Sequence, residues 1–213
     1  MTTLALLWIC WCVLHSLLIT GTINDWFLRK GGLLLGSYRI VYILISILTL
    51  IPVLWYQYSL PQQQLISWSS PWRILQAMLL LYALIMFYGG KQVYDTNYFL
   101  GLRQWRNYRR RLKPAHLPFT CRGILRYVRH PWYSGGLAFL WGLGPHTDVT
   151  LMVRIILSLY LVIGTLLEER KLVQELGKPY LDYRRQVPML IPWRGKVRVQ
   201  LRPGESPSED QPE

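Results

Sequence analysis

The chain has 213 residues, of which 52% are apolar and only 16% charged, and its formal net charge is +13. A typical soluble domain carries about 25% charged residues, so this composition excludes an ordinary water-soluble domain. Nor does the basic excess describe a nucleic-acid surface, because Lys and Arg stand in blocks beside apolar runs, as membrane topology predicts.

The first apolar run, 3–23, approaches the ~20 residues that cross a bilayer. Met1 to Thr20 lacks the basic start and the small-residue cleavage site of a signal peptide, so the run reads as a retained first span. His15 and Ser16 lie within it, and polar groups inside a membrane invite a functional reading; the plainer one is a bond to a neighbouring helix. Cys10, Cys12 and Cys121 form no disulfide framework or zinc spacing. Further spans are expected at 39–58, 72–90, 132–145 and 149–167.

The fourth span is short. It holds Gly135, Gly136, Gly142 and Gly144, with Pro145 following at once. A helix this short cannot cross about 30 Å of hydrocarbon. With the fifth span it forms an expected hairpin turning at 144–148, and its glycines allow close helix approach. The expected fold is therefore all-α, a polytopic membrane bundle of about five spans with a cytoplasmic C-terminal helical cap.

Residues 59–71 carry no charge, whereas 91–131 carry ten Lys or Arg against the single acid Asp95. The positive-inside rule then puts the N-terminus outside and the C-terminus in the cytoplasm, with the bacterial inner membrane as the expected location. Within the basic loop, Phe99, Leu102, Trp105, Tyr108 and Leu112 recur every three to four residues among Arg103, Arg106, Arg109 and Arg110. That pattern predicts an amphipathic helix on the membrane surface, as an anchor or as a lid. The expected organisation is 1–90 as N-terminal spans, 91–201 as the catalytic region, and 202–213 as an acidic, Pro-rich disordered tail.

Two groups of ionisable and aromatic residues flank the hairpin. The first is Arg129, His130, Pro131 and Tyr133. Pro131 suits the first position of a helix, which places His130 at its N-terminal end. The second begins with Glu168 and Glu169 directly after an apolar run, where carboxylates need partners. They serve either as helix-end charges neutralised by Arg170 and Lys171 or as ligands for an amine or a ribose hydroxyl. Gly177 and Pro179 then separate two helices. Tyr180 and Tyr183 share a face of the second, and Arg184 could pair with a carboxylate or phosphate. His116 and His146 make no metal pattern with Cys or acids, and no metal is expected. No Gly-rich phosphate loop follows a strand.

The run Arg-His-Pro-Trp-Tyr-Ser-Gly (129–135), Glu-Glu (168–169), Gly-x-x-Tyr-x-x-Tyr (177–183) and Pro-x-x-x-Pro (188–192) resembles the integral-membrane methyltransferases. That superfamily includes the isoprenylcysteine carboxyl methyltransferases and the phospholipid methyltransferases. The resemblance covers about 126–192, and His-Ser-Leu-Leu (15–18) and Ser-Tyr-Arg-Ile-Val-Tyr (37–42) are similar to bacterial members. Trp132 departs from the smaller apolar residue usual in the family.

The resemblance implies S-adenosylmethionine as cofactor. It implies that Tyr127, His130, Pro131, Tyr133 and Gly135 line the pocket from one side, and Glu168, Glu169, Tyr180 and Tyr183 from the other. Arg129 or Arg184 would be the candidate to hold an anionic substrate head group, and with His130 and Glu169 they form the expected catalytic set. The implied acceptor is hydrophobic or lipid-linked: a carboxylate, a thiol or an amine. An amine would need a general base, for which His130 or a glutamate would serve. The competing readings are an NADPH-dependent membrane reductase of related architecture and a non-catalytic membrane subunit.

Overall fold

The computed structural model describes residues 1–19, 34–112 and 119–197. It is a helical membrane bundle. The long helices are α1 (Thr2–Ile19), α2 (Leu34–Ser59), α3 (Trp72–Val93) and α7 (Asp148–Leu176), and all four are long and apolar enough to span a bilayer. The shorter helices are α4 (Thr96–Phe99), α5 (Leu102–Arg109), α6 (Pro131–Gly142) and α8 (Lys178–Gln186). Two short strands, β1 (Gln64–Ile66) and β2 (His146–Thr147), pair antiparallel with Gln64 opposite Thr147. The chain divides into two compact units, and α7 contributes to both.

The first unit comprises 1–69, 94–117 and 144–157. Its core is Leu4, Trp8, Val53, Val149 and Val153, all buried. Between α1 and α2 the driving force is polar as well as apolar. Trp8 donates to Gln57 Oε1 at 3.0 Å, and Trp11 donates to the Ser46 carbonyl at 3.1 Å. His15 meets Ser46 Oγ at 3.1 Å and the Tyr42 hydroxyl at 2.6 Å. In hydrocarbon such groups have only each other as partners, so the bonds fix the register of the two helices. The plainer reading of His15 is the one observed. The amphipathic segment 98–112 is not one helix but two, broken at Gly101. That residue has φ of +81°, in the left-handed region, and a Cβ there would lie 2.8 Å from Arg39 Cβ.

The second unit comprises 70–93, 118–143 and 158–213. Helix α6 is 12 residues long, about 18 Å at 1.5 Å per residue. It is too short for a full crossing, as expected for the fourth span. It lies close along α3 because its glycines permit it: a Cβ on Gly135 would sit 2.9 Å from Met86 Cβ and 3.2 Å from the Ala83 carbonyl. Gln76 on α3 caps the end of α6 by donating to the Gly142 carbonyl at 3.0 Å. Gly135→Ala is expected to cost about 1–3 kcal/mol through overpacking. Denaturant unfolding of the purified protein in detergent reads this directly, and an unchanged midpoint would refute the close contact. Helix α7 has 29 residues, about 44 Å. About twenty helical residues cover ~30 Å of hydrocarbon, and Glu168 and Glu169 stand just after the first twenty residues of this helix.

Candidate active site

The site is built in the second unit around one carboxylate. Pro131 opens α6, its missing N–H costing nothing at the first helical position, and this sets Arg129 and His130 just before the helix. Gly177, at φ +60°, ends α7 and reverses the chain into α8. The reversal brings Tyr180 back against the turn of α7 that carries Glu169.

Five donor groups then converge on Glu169. Oε1 accepts from Arg129 Nε at 2.8 Å, from His130 Nε2 at 2.7 Å and from the Tyr180 hydroxyl at 2.6 Å. Oε2 accepts from Arg129 Nη2 at 2.8 Å and lies 3.3 Å from Arg184 Nε. Arg129, His130, Glu169 and Tyr180 are all buried; Arg184 is half exposed. A carboxylate offers about four lone-pair sites, so this one is saturated by protein. The Arg129 fork is equally committed, since Nη1 donates to the Arg184 carbonyl at 3.0 Å and to the Val187 carbonyl. Lysine could not copy that planar array.

The segment after α8 closes the arrangement through its backbone. Arg129 N donates to the Pro188 carbonyl at 2.9 Å and His130 N to the Met189 carbonyl at 3.1 Å. Ser134 Oγ donates to the Leu190 carbonyl at 2.5 Å and meets the Tyr82 hydroxyl of α3 at 2.6 Å. Sequence reasoning missed Tyr82, although a tyrosine hydroxyl within an apolar span is a signal that it needs a partner.

An ionised carboxylate only accepts hydrogen bonds. His130 Nε2 therefore carries a proton and donates it, and in the neutral ring Nδ1 keeps its lone pair. Among the described residues, Nδ1 has no hydrogen-bond partner. The Tyr133 ring stands edge-on to the imidazole, with centroids 5.8 Å apart. Burial, and then the Glu169 charge beside it, push the Tyr180 hydroxyl well above the usual tyrosine range, so Tyr180 remains a donor.

The other expected site residues lie apart from this focus. Glu168 is half-buried and makes no hydrogen bond or ion pair among the described residues; Tyr127 is half-buried. Gly135 faces Met86. Tyr183 donates to the Leu125 carbonyl at 2.7 Å and is buried with Cys121, Tyr180 and Val187. Pro131 is buried as the helix start. The described residues contain no group of His, Cys, Asp or Glu able to hold a metal ion.

Comparison with known proteins bears on this arrangement. The family described as NnrU protein matches residues 3–147, more than half of the chain. A methanethiol S-methyltransferase of Pseudomonas sp. (strain GM41(2012)) is 30% identical over 196 residues, covering 86% of this chain and 70% of its own. The enzyme of that name from Crocosphaera subtropica (strain ATCC 51142 / BH68) is 38% identical over 96 residues, 45% of this chain and 38% of its own. Methanethiol S-methyltransferase 1 of Bradyrhizobium diazoefficiens is 27% identical over 166 residues, 75% of this chain and 56% of its own. The matches thus span well under two thirds of the length of the last two relatives. No solved structure matches.

Proposed function

The chain belongs to the NnrU family, and from that premise we propose that it is an integral-membrane methyltransferase that uses S-adenosylmethionine to methylate a small thiol. The acceptor class comes from the relatives, which are named for methanethiol. The observation that carries the reading is the convergence of Arg129, His130 and Tyr180 on Glu169. That cluster leaves one imidazole nitrogen with a lone pair beside an aromatic ring.

The side chains near this cluster suit the cofactor's chemistry. Glu168, which has no partner among the described residues, suits an amine or a ribose hydroxyl, and the half-exposed Arg184 guanidinium suits a carboxylate. The rings of Tyr127 and Tyr133 can stabilise a cation. When bound, S-adenosylmethionine supplies an activated methyl group on a cationic sulfur.

A thiol, unlike a carboxylate, must lose its proton before its sulfur is a strong nucleophile. His130 Nδ1 takes that proton, and the Glu169 charge stabilises the resulting imidazolium, as the buried carboxylate does in other carboxylate–imidazole pairs. Glu169, Arg129 and Tyr180 are positioning residues, since their polar atoms are committed to protein. Tyr183 and Gly135 act through packing. Of the two arginines expected to meet an anionic group, Arg184 keeps that role. The Lys and Arg excess of 91–131 supports a bacterial inner-membrane protein with that segment on the cytoplasmic side, where the cofactor is available.

The test uses purified full-length protein with methyl-labelled S-adenosylmethionine and methanethiol, and calorimetry with S-adenosylhomocysteine. Labelled dimethyl sulfide and micromolar binding are expected. Well-folded protein that neither binds the nucleoside nor labels the thiol overturns the reading.

A further inference from the structure

Helix α5 (Leu102–Arg109) takes no part in the chemistry above, yet its surface is unusual. Arg106, Arg109 and Arg110 are exposed, and Arg111 follows them. The acid Asp95, in the same basic loop, is already engaged: it caps α4 through Tyr98 N at 3.0 Å and holds Arg103 at 2.6 Å. Arg106, Arg109 and Arg110 make no ion pair among the described residues. At about 100° per residue, Leu102, Trp105, Arg106 and Arg109 fall on one face. Leu102 and Trp105 are both exposed there, with the Arg109 guanidinium over the Trp105 ring at 5.1 Å from its centroid. Trp105, Arg106, Arg109 and Arg110 line an open hollow of about 410 Å³.

The helix is held at a fixed height by the span beneath it. Arg39, near the start of the Ser37–Ser59 span, donates from Nε to the Phe99 carbonyl at 2.7 Å, and its guanidinium lies over the Phe99 ring at 5.3 Å. Gly101 lets the chain press on Arg39 and the Ile40 backbone. The arginine cluster is thereby fixed at one end of a span, at headgroup level. An indole beside exposed guanidiniums is the pairing that suits the boundary between acyl chains and phosphates. A soluble anion would account for the arginines but not for the exposed Leu102, Trp105 and Leu112.

We propose that the face of α5 formed by Trp105, Arg106, Arg109 and Arg110 is a docking site for an anionic phospholipid, with its phosphodiester held in the arginine hollow and its acyl chains against Trp105 and Leu102. The site belongs to the first unit and is independent of the methyltransferase reading.

The test is native mass spectrometry of the full chain in neutral detergent, with phosphatidylglycerol or phosphatidylcholine added. Wild type is expected to retain phosphatidylglycerol at least tenfold more strongly than phosphatidylcholine, with retention falling as salt rises. Each basic side chain near an anionic surface contributes roughly fivefold, so Arg106→Ala with Arg109→Ala and Arg110→Ala loses about a hundredfold. The matching triple Lys variant, which keeps the charge, retains most of it and controls for folding. Equal retention of the two lipids, equal retention by the Ala variant, or displacement by millimolar inorganic phosphate alone overturns the proposal. The last outcome would mark a site for free anions.

Discussion

Glu169→Ala is expected to lower the unfolding free energy by about 3–5 kcal/mol, the usual cost of leaving one partner of a buried ion pair behind. The magnitude follows from what would be stranded. Arg129 loses two charge-assisted bonds while its guanidinium stays buried, and His130 and Tyr180 each lose an acceptor. A combined Glu169→Met and Arg129→Met variant should recover part of that loss, because apolar replacements remove both charges together. Recovery stays incomplete, since the Arg184 and Val187 carbonyls lose the donor that Arg129 gave them. Denaturant titration in detergent, followed by tryptophan fluorescence, measures both effects. A Glu169→Ala midpoint equal to wild type would mean that the five contacts add nothing to stability. Both variants are expected to be inactive.

His130→Gln should reduce thiol methylation by about 10²–10⁴-fold, the range for losing a positioned general base. The affinity for S-adenosylhomocysteine should change much less, because the amide side chain can still donate to Glu169. The pH dependence separates a base from a structural prop. As pH rises, more thiol ionises in solution and needs no acceptor. The deficit of the variant should therefore shrink toward alkaline pH and be largest near neutrality. A deficit that stays constant across the profile would remove His130 from the proton path.

Hydropathy and motif spacing made much of this molecule legible beforehand. The spans needed only long apolar runs with at most one charge each, and the short fourth helix needed only four glycines and Pro145. The approach of His130 to the acids was also readable, because a hairpin returns both ends of its two helices to one side. What could not be read was the division of labour between Glu168 and Glu169. Neighbours on a helix differ by about 100° in direction, and only packing decides that Glu169 turns inward while Glu168 stays half-buried. The carbonyls of Val187, Pro188, Met189 and Leu190 were invisible for another reason: every residue has one, so no side-chain pattern marks the acceptors. The break at Gly101 depends on Arg39, some sixty residues away, and no local periodicity reports such a contact.

The backbone bonds from Arg129 and His130 to Pro188 and Met189 also impose an order on biogenesis. While the ribosome is still making α7, the nascent chain has already committed Arg129 to the membrane boundary without its carboxylate or its carbonyl acceptors. Synthesis of the four described spans precedes completion of the site by the time needed to translate α8 and the segment beyond it. A product released early, after Leu176, would thus carry the four long apolar helices described above and still lack the residues that complete the site.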